Sequence, residues 1–228
     1  GSGSCIYIGN TTLHFVIQNC YLTNLVADGI GMQLTNVANG DVNECHFIGG
    51  FIGIFTQNDY WVNITNCSIS ELILPMYCIS MDYSNITGCT ITGSFSFGIE
   101  LTGCDYLNMT NCLISTSTTV ERYGLELIES YYCTIDDNAF INCGIRLLGN
   151  LGVFTTQNIG YGNTVNSRPV YYYKNIEWPG SSTPTVVGQF ILGNVTNITI
   201  DDVQIDGGTA AICMGYCGNV TIERCQLS

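Results

Sequence analysis

Residues Val62–Gly93 read VNITNCSISELILPMYCISMDYSNITGCTITG. The phrase N-I-T-x-C-x-I occurs here twice, 22 residues apart, as Asn63, Ile64, Thr65, Cys67, Ile69 and as Asn85, Ile86, Thr87, Cys89, Ile91. Aligning the chain on the cysteine extends the series to Cys20, Cys45, Cys67, Cys89, Cys112, Asn138, Gln157, Val203 and Cys225. Three residues earlier stand Ile17, Val42, Ile64, Ile86, Met109, Ile135, Phe154, Ile200 and Ile222; two residues later stand Leu22, Phe47, Ile69, Ile91, Ile114, Phe140, Ile159, Ile205 and Leu227. Both columns are apolar throughout. A third column, Ile30, Ile54, Ile79, Ile99, Leu125, Ile145 and Ile212, follows small residues such as Gly53, Gly98, Gly124 and Gly144.

Period-2 alternation in short segments means strands, and a three-residue step between inward columns means a bend that resets which side faces in. The bend position holds Asn19, Glu44, Asn66, Gly88, Asn111, Asp137, Thr156, Asp202 and Arg224, mostly residues that tolerate tight turns or left-handed geometry. Three short strands per roughly 22-residue coil predict an all-β, right-handed parallel β-helix of about nine to ten coils, stacked at roughly 4.8 Å. A leucine-rich repeat needs a Leu-dominated pattern that is missing, and an antiparallel sandwich keeps no such register. The organisation expected is a Gly/Ser linker at 1–4 and a single β-helix domain at 5–228, with an irregular excursion at about 166–190.

Composition agrees. Only five of 228 residues are Lys or Arg against 18 Asp or Glu, giving a formal charge of -13 that argues against nucleic acid or an anionic membrane as partner. Abundant Gly, Asn and Thr favour turns and strands. No apolar window is long enough for a membrane-spanning helix, so no membrane insertion is expected.

In the excursion, Gly162, Asn163, Thr164, Val165, Pro169, Val170, Tyr171, Tyr172, Tyr173, Lys174 and Asn175 spell G-N-T-V-x-x-x-P-V-Y-Y-Y-K-N before a return to N-I-T-I. This phrase resembles the NosD-like right-handed β-helix repeat family. The resemblance implies an extracellular or cell-surface setting, of the kind common in archaeal, especially methanogen, surface proteins and in carbohydrate-active enzymes, without fixing an activity.

Several residue sets bear on chemistry. The 13 cysteines include no C-x-x-C pair and no Cys/His cluster at zinc spacing. Cys20, Cys45, Cys67, Cys89 and Cys112 have inward parity and form an expected thiol stack. Buried free thiols acting as small hydrophobes are favoured there over disulfides between adjacent coils. Cys213, between Ile212 and Met214, is expected to point outward, available for a disulfide to another chain. N-x-S/T sequons stand at Asn10, Asn63, Asn66, Asn85, Asn108, Asn194, Asn197 and Asn219; they mark N-glycosylation in an exposed, secreted setting, while Asn at bends and Thr on outer faces produce the same pattern for structural reasons.

Glu100, Glu126 and Arg146 fall on one outward line, with Asp82 expected nearby. Stacked carboxylates suit Ca²⁺ or a retaining-glycosidase pair, and Arg146 suits a lyase. A solvated face with Arg146 neutralising Glu126 is the plainer and favoured reading, and no cofactor or metal is otherwise called for. Tyr171, Tyr172, Tyr173 and Trp178 are candidates for a glycan or subunit contact, or for a small core of their own.

Neither end of the repeat is visibly capped, which points to head-to-tail contacts or to a longer protein. The function expected is a structural component of an extracellular assembly, self-associating as a homopolymer by stacking or cross-linking, rather than an enzyme. A carbohydrate-active enzyme and a glycan-binding adhesin are the alternatives.

Overall fold

The computed structural model describes residues 3–23, 28–93, 96–117, 123–180, 182–205 and 210–227. It is a β-solenoid of about nine turns. Among the described residues the one helix is α1 (Leu151–Thr156), six residues long, and no helix is long and apolar enough to cross a membrane.

The repeat becomes register. Ile17, Val42, Ile64, Ile86, Met109, Ile135 and Ile159 align rung by rung in parallel strands. Leu22, Phe47, Ile69, Ile91, Ile114, Phe140 and Val165 form the second column. Beyond the first coil the members of both columns are buried. The bend residues Asn19, Glu44, Asn66, Gly88, Asn111, Asp137, Asp202 and Arg224 all have φ between 51° and 65°, the left-handed region that turns the chain within one residue.

Two parts of the sequence alignment slip. Gln157 does not occupy the cysteine position of its coil: Ile159 and Val165 take the two columns, while Phe154 and Thr156 belong to α1. The inserted helix fills a turn, and Phe154 and Ile159 flank Gln157 at the repeat's spacing by coincidence. The third column is Met32, Ile54, Met76, Ile99, Leu125 and Ile145; Ile30 lies one inward position early, and Ile79 faces outward beside Thr102. Pro75, not Cys78, precedes the inward residue of its coil. At Gly53 and Gly98 close backbone approach requires glycine, since a Cβ would lie 2.5 Å from the Pro75 and Gly124 carbonyl oxygens; at Gly124 and Gly144 it would meet side chains, Phe140 and Cys143 in one case and Gln189 in the other.

At the start of the domain the structure places Ser4 in the first strand, not in the expected linker. Ser4 already pairs with Ile30 and its hydroxyl donates to Gln33 at 2.8 Å, so it belongs to the first coil. Gly1 and Ser2 of the expected linker, and Ser228, lie outside the described residues.

The first part of the excursion at 166–190 is strand, Arg168–Glu177, and it divides the interior. Asn166 and Ser167, with φ of 49° and 64°, form a two-residue hairpin turn that reverses the chain, so that Val165 pairs with Arg168 in antiparallel fashion. Strands Arg168–Glu177, Gln189–Thr196 and Ile212–Gly215 then build a parallel sheet. One face of this sheet (Val170, Tyr172, Ile191, Cys213) joins the main core. The other (Tyr171, Tyr173, Phe190, Leu192, Ile212) joins a second core with Val195, Ile198, Ile200, Val203 and Ile205. The sheet is a wall shared by two stacks.

The wall also closes the first stack. Gln189 accepts a hydrogen bond from the Ile145 amide at 3.0 Å and donates to the Ile145 carbonyl at 2.6 Å, substituting for the strand that would otherwise pair there. The Tyr172 hydroxyl donates to the Phe154 carbonyl at 2.8 Å, and the Lys174 ammonium donates to the Gln157 carbonyl.

Candidate functional site

On the outer surface of the third column, residues Gln33, Phe55, Tyr77, Glu100, Glu126 and Arg146 are neighbours on consecutive rungs. Period-2 alternation puts them between the inward residues of their strands. The Glu100–Glu126–Arg146 line is therefore assembled as the sequence placed it, but it is not a fully solvated face: Glu126 is only 3% exposed. Arg146 Nη1 sits 3.0 Å from Glu126 Oε1, and the guanidinium lies 4.6 Å from the centre of the Tyr123 ring. Tyr123 stacks on Phe97 at a centroid distance of 6.1 Å, and Phe55 meets Tyr77 at 5.6 Å with the rings tilted by 55°. These aromatics, which the sequence pattern did not single out, form the walls beside the carboxylates.

Burial raises the carboxyl pKa of both acids. For Glu126 the desolvation is opposed by Arg146 and reinforced by Glu100; for Glu100 it is opposed by a hydrogen bond from Thr102 at 3.4 Å. Two neighbouring carboxyls, both raised by burial and one of them paired with an arginine, are the kind of groups a glycoside-cleaving pair uses. Rungs about 4.8 Å apart suit the close spacing of a retaining pair, about 5–5.5 Å, rather than the wider inverting one. Asp82 is elsewhere: it lies in register with Tyr60 and accepts a hydrogen bond from the Asp105 amide at 2.8 Å. Among the described residues no group of three or more His, Cys, Asp or Glu side chains is arranged to hold a metal ion, and two stacked glutamates fall short of the six to eight oxygens of a calcium site.

The thiols are all free. The amides of His46, Ser68, Thr90 and Leu113 donate to the carbonyls of Cys20, Cys45, Cys67 and Cys89 at 2.8–2.9 Å, which fixes those cysteines and Cys112 one above another. Cys45, Cys67, Cys89 and Cys112 are buried, and Cys20, in the first coil, is half-buried. Each thiol donates back across its own bend, as Cys67 does to the Thr65 carbonyl at 3.4 Å. Burial pushes the Cys45 thiol up to about 11, and Cys78, Cys133 and Cys143 up to about 12, so these groups stay neutral and unreactive.

Cys213 does not point outward: it aligns with Ile191 and packs on the main core, because the wall buries both of its faces. The exposed thiol is Cys5.

The sequon asparagines serve as ladder members. Asn63 donates to Asp41 at 2.8 Å, Asn85 to Asn63 at 2.7 Å and Asn108 to Asn85 at 3.0 Å. Asn66 donates to Asn43, Asn194 to Asn175, Asn197 to Glu177 and Asn219 to Asn197. Asn10 is exposed and accepts from Asn36 at 3.0 Å. The Tyr-rich segment is no open platform either. Tyr171, Tyr173 and Trp178 pack on the second core, with Tyr173 edge-on to Trp178 at 4.9 Å, while Tyr172 faces the first.

A family model described as a right-handed beta helix region matches residues 52–177. No curated protein matches the chain. Among solved structures, that of QnrB1, a plasmid-mediated fluoroquinolone resistance protein, is similar at 11% identity and a TM-score of 0.29, covering 94% of this chain and 92% of its own.

Proposed function

The chain belongs to the right-handed β-helix family, and on that premise we propose that it is a structural component of an extracellular assembly, a surface layer, sheath or filament of archaeal type, built by end-to-end stacking of copies. The observation that carries this reading is the unbroken parallel register of the coils from Ile17 to Ile159, a stack that a further coil in register extends. Ile6, Ile8, Phe15 and Ile17 point into the solenoid yet are only partly buried, whereas Met32, Leu34 and Val42 one rung on are fully buried. Inward apolar side chains of this kind are satisfied by one more coil. A coil of a second copy, with strands of the same spacing, is the partner proposed for them. Extracellular placement rests on the NosD-like phrase and the acidic, lysine-poor composition, and cross-linking, where it occurs, falls to Cys5.

Electron microscopy and mass photometry of the purified chain test this. Ordered stacks or filaments are expected, abolished by Ile8→Lys in the first strand; discrete monomers at all concentrations would sink the proposal.

A second reading is favoured by one observation, the Glu100–Glu126 pair beside Arg146 and Tyr123: a carbohydrate-active surface. Release of reducing or unsaturated ends from a panel of acidic polysaccharides, lost in Glu126→Gln, is its expected signature. An unaltered rate in that variant removes it.

A further inference from the structure

One corner of the solenoid carries a column outside the repeat pattern. Trp61, Tyr83, Tyr106 and Tyr132 stand on successive rungs with φ of 53°, 51°, 55° and 58°. The rings of Tyr83 and Tyr106 lie 4.9 Å apart and 5° from parallel, those of Tyr106 and Tyr132 5.1 Å apart and 8° from parallel. Trp61 sits 6.5 Å from Tyr83 and is tilted by 38°. These side chains are 44–56% exposed, forming a continuous aromatic ridge.

Folding does not call for these residues. A bulky side chain in the left-handed region costs about as much as one stacked aromatic pair returns. Asn39, with φ of 58°, makes the same corner one rung earlier, beside Trp61, and Asn10, Asn36 and Asn58 line another corner with the same backbone. Asparagine would suffice. Strained, exposed and contiguous aromatics are the signature of a contact surface.

Charge selects the partner. In the adjoining column Asp82 Oδ1 accepts from the Asp105 amide at 2.8 Å and Asp105 Oδ1 from the Tyr131 amide at 2.9 Å, so the two carboxylates are stacked. The Asp105 carboxyl is raised by burial and by the Asp82 charge. The described bases are engaged elsewhere: Arg146 pairs with Glu126, Arg224 with Asp201 and His14 with Asp41, Lys174 is held by the Gln157 carbonyl, Arg168 donates to the Gln204 carbonyl, and His46 stacks on Tyr21.

We infer that this ridge docks a cationic polypeptide segment of a partner protein, one carrying arginine or lysine side chains. Trp61, lying between Tyr60 at 6.3 Å and Tyr83 at 6.5 Å yet 56% exposed, offers ring surface to a guanidinium, the phenol oxygens along the ridge accept its N–H groups, and Asp82 and Asp105 supply the countercharge. A second copy of a chain with net charge -13 is disfavoured here.

The test is a fluorescence titration, reading Trp61 as one of two tryptophans, with an alternating Arg-Gly peptide, a Ser-Gly peptide of equal length and neutral oligosaccharides. The Arg-Gly peptide should bind, with an affinity that falls as salt rises. Tyr83→Asn with Tyr106→Asn, which leaves the net charge untouched, should weaken it tenfold or more while thermal unfolding confirms the fold; Tyr106→Asn alone serves if the pair does not fold. Equal affinity in the variant would assign binding to diffuse acidity and overturn the inference. So would Ser-Gly or oligosaccharide binding as strong as that of Arg-Gly.

Discussion

At the scale of single residues, Asp59 and Cys67 illustrate two ways of closing a bend. Asp59 is fully buried, its Oδ1 accepting from the Val37 amide at 2.9 Å and its Oδ2 from the Gln57 amide at 3.1 Å. Burial nevertheless pushes its carboxyl up to about 6, against the stabilising pull of those bonds on the charged form. A folded-state value above the unfolded one favours the protonated native state. Stability is therefore greatest below about pH 4 and declines through about pH 6, by on the order of 2 kcal/mol from this group. Urea unfolding between pH 4 and 7 should record that slope, and Asp59→Asn should flatten it. Cys67 occupies a bend where Ser84 and Ser130, at analogous positions, donate to the Asp82 and Ile128 carbonyls at 2.8 and 3.1 Å. The thiol is a small group that both packs and bonds. Cys67→Ser should cost no more than about 1 kcal/mol, and Cys67→Leu about 1–3 kcal/mol by overpacking, in the same unfolding assay.

At the scale of elements, the wall between the two cores makes its own prediction. Gln189→Ala strands the Ile145 amide and carbonyl without a partner, and an unsatisfied buried backbone group costs about 1–3 kcal/mol. Hydrogen exchange at Ile145 should accelerate by at least tenfold while amides of the early coils, such as Ile64, keep their protection. The same wall marks where reading by periodicity failed. Columns built on Ile64, Phe47 and the left-handed bends were legible because every rung imposes the same steric demand. The hairpin at Asn166–Ser167 and the docking of Gln189 come from a single event in the chain, which no repeat can announce. Phe154, Gln157 and Ile159 imitated the period, and only the insertion of α1 separates imitation from membership. Cys213 was misplaced for the same reason, since alternation names two faces but does not say that both are covered.

At the scale of the whole molecule, a single β-helix domain with an irregular excursion at about 166–190 was expected, and the strand within that excursion forms a wall between two cores. The candidate site divides likewise. Glu100, Glu126 and Arg146 were legible as one line because rungs are in register; their partial burial was not, because it depends on Phe97 and Tyr123 flanking them. The aromatic ridge escaped notice because Trp61, Tyr83, Tyr106 and Tyr132 sit at bends, where the inward-facing periodicity carries no information. Alkylation of the native protein should label Cys5 rapidly and the buried thiols only on unfolding, when all 13 cysteines react. Fast labelling of Cys67 or Cys89 in the native state would contradict the packed core.

The amide of Gln189 has a bearing on size. Identical rungs add to one another without any intrinsic limit, so a solenoid by itself carries no specification of its length. A side chain that mimics a strand and bonds both groups of Ile145 ends the first stack at that rung: it is a terminator for that stack, beyond which the wall begins a second one. Duplicating one coil, for instance 62–83, should then lengthen the molecule by one rung and leave the terminator undisturbed, whereas losing it frees the stack to recruit a rung from elsewhere.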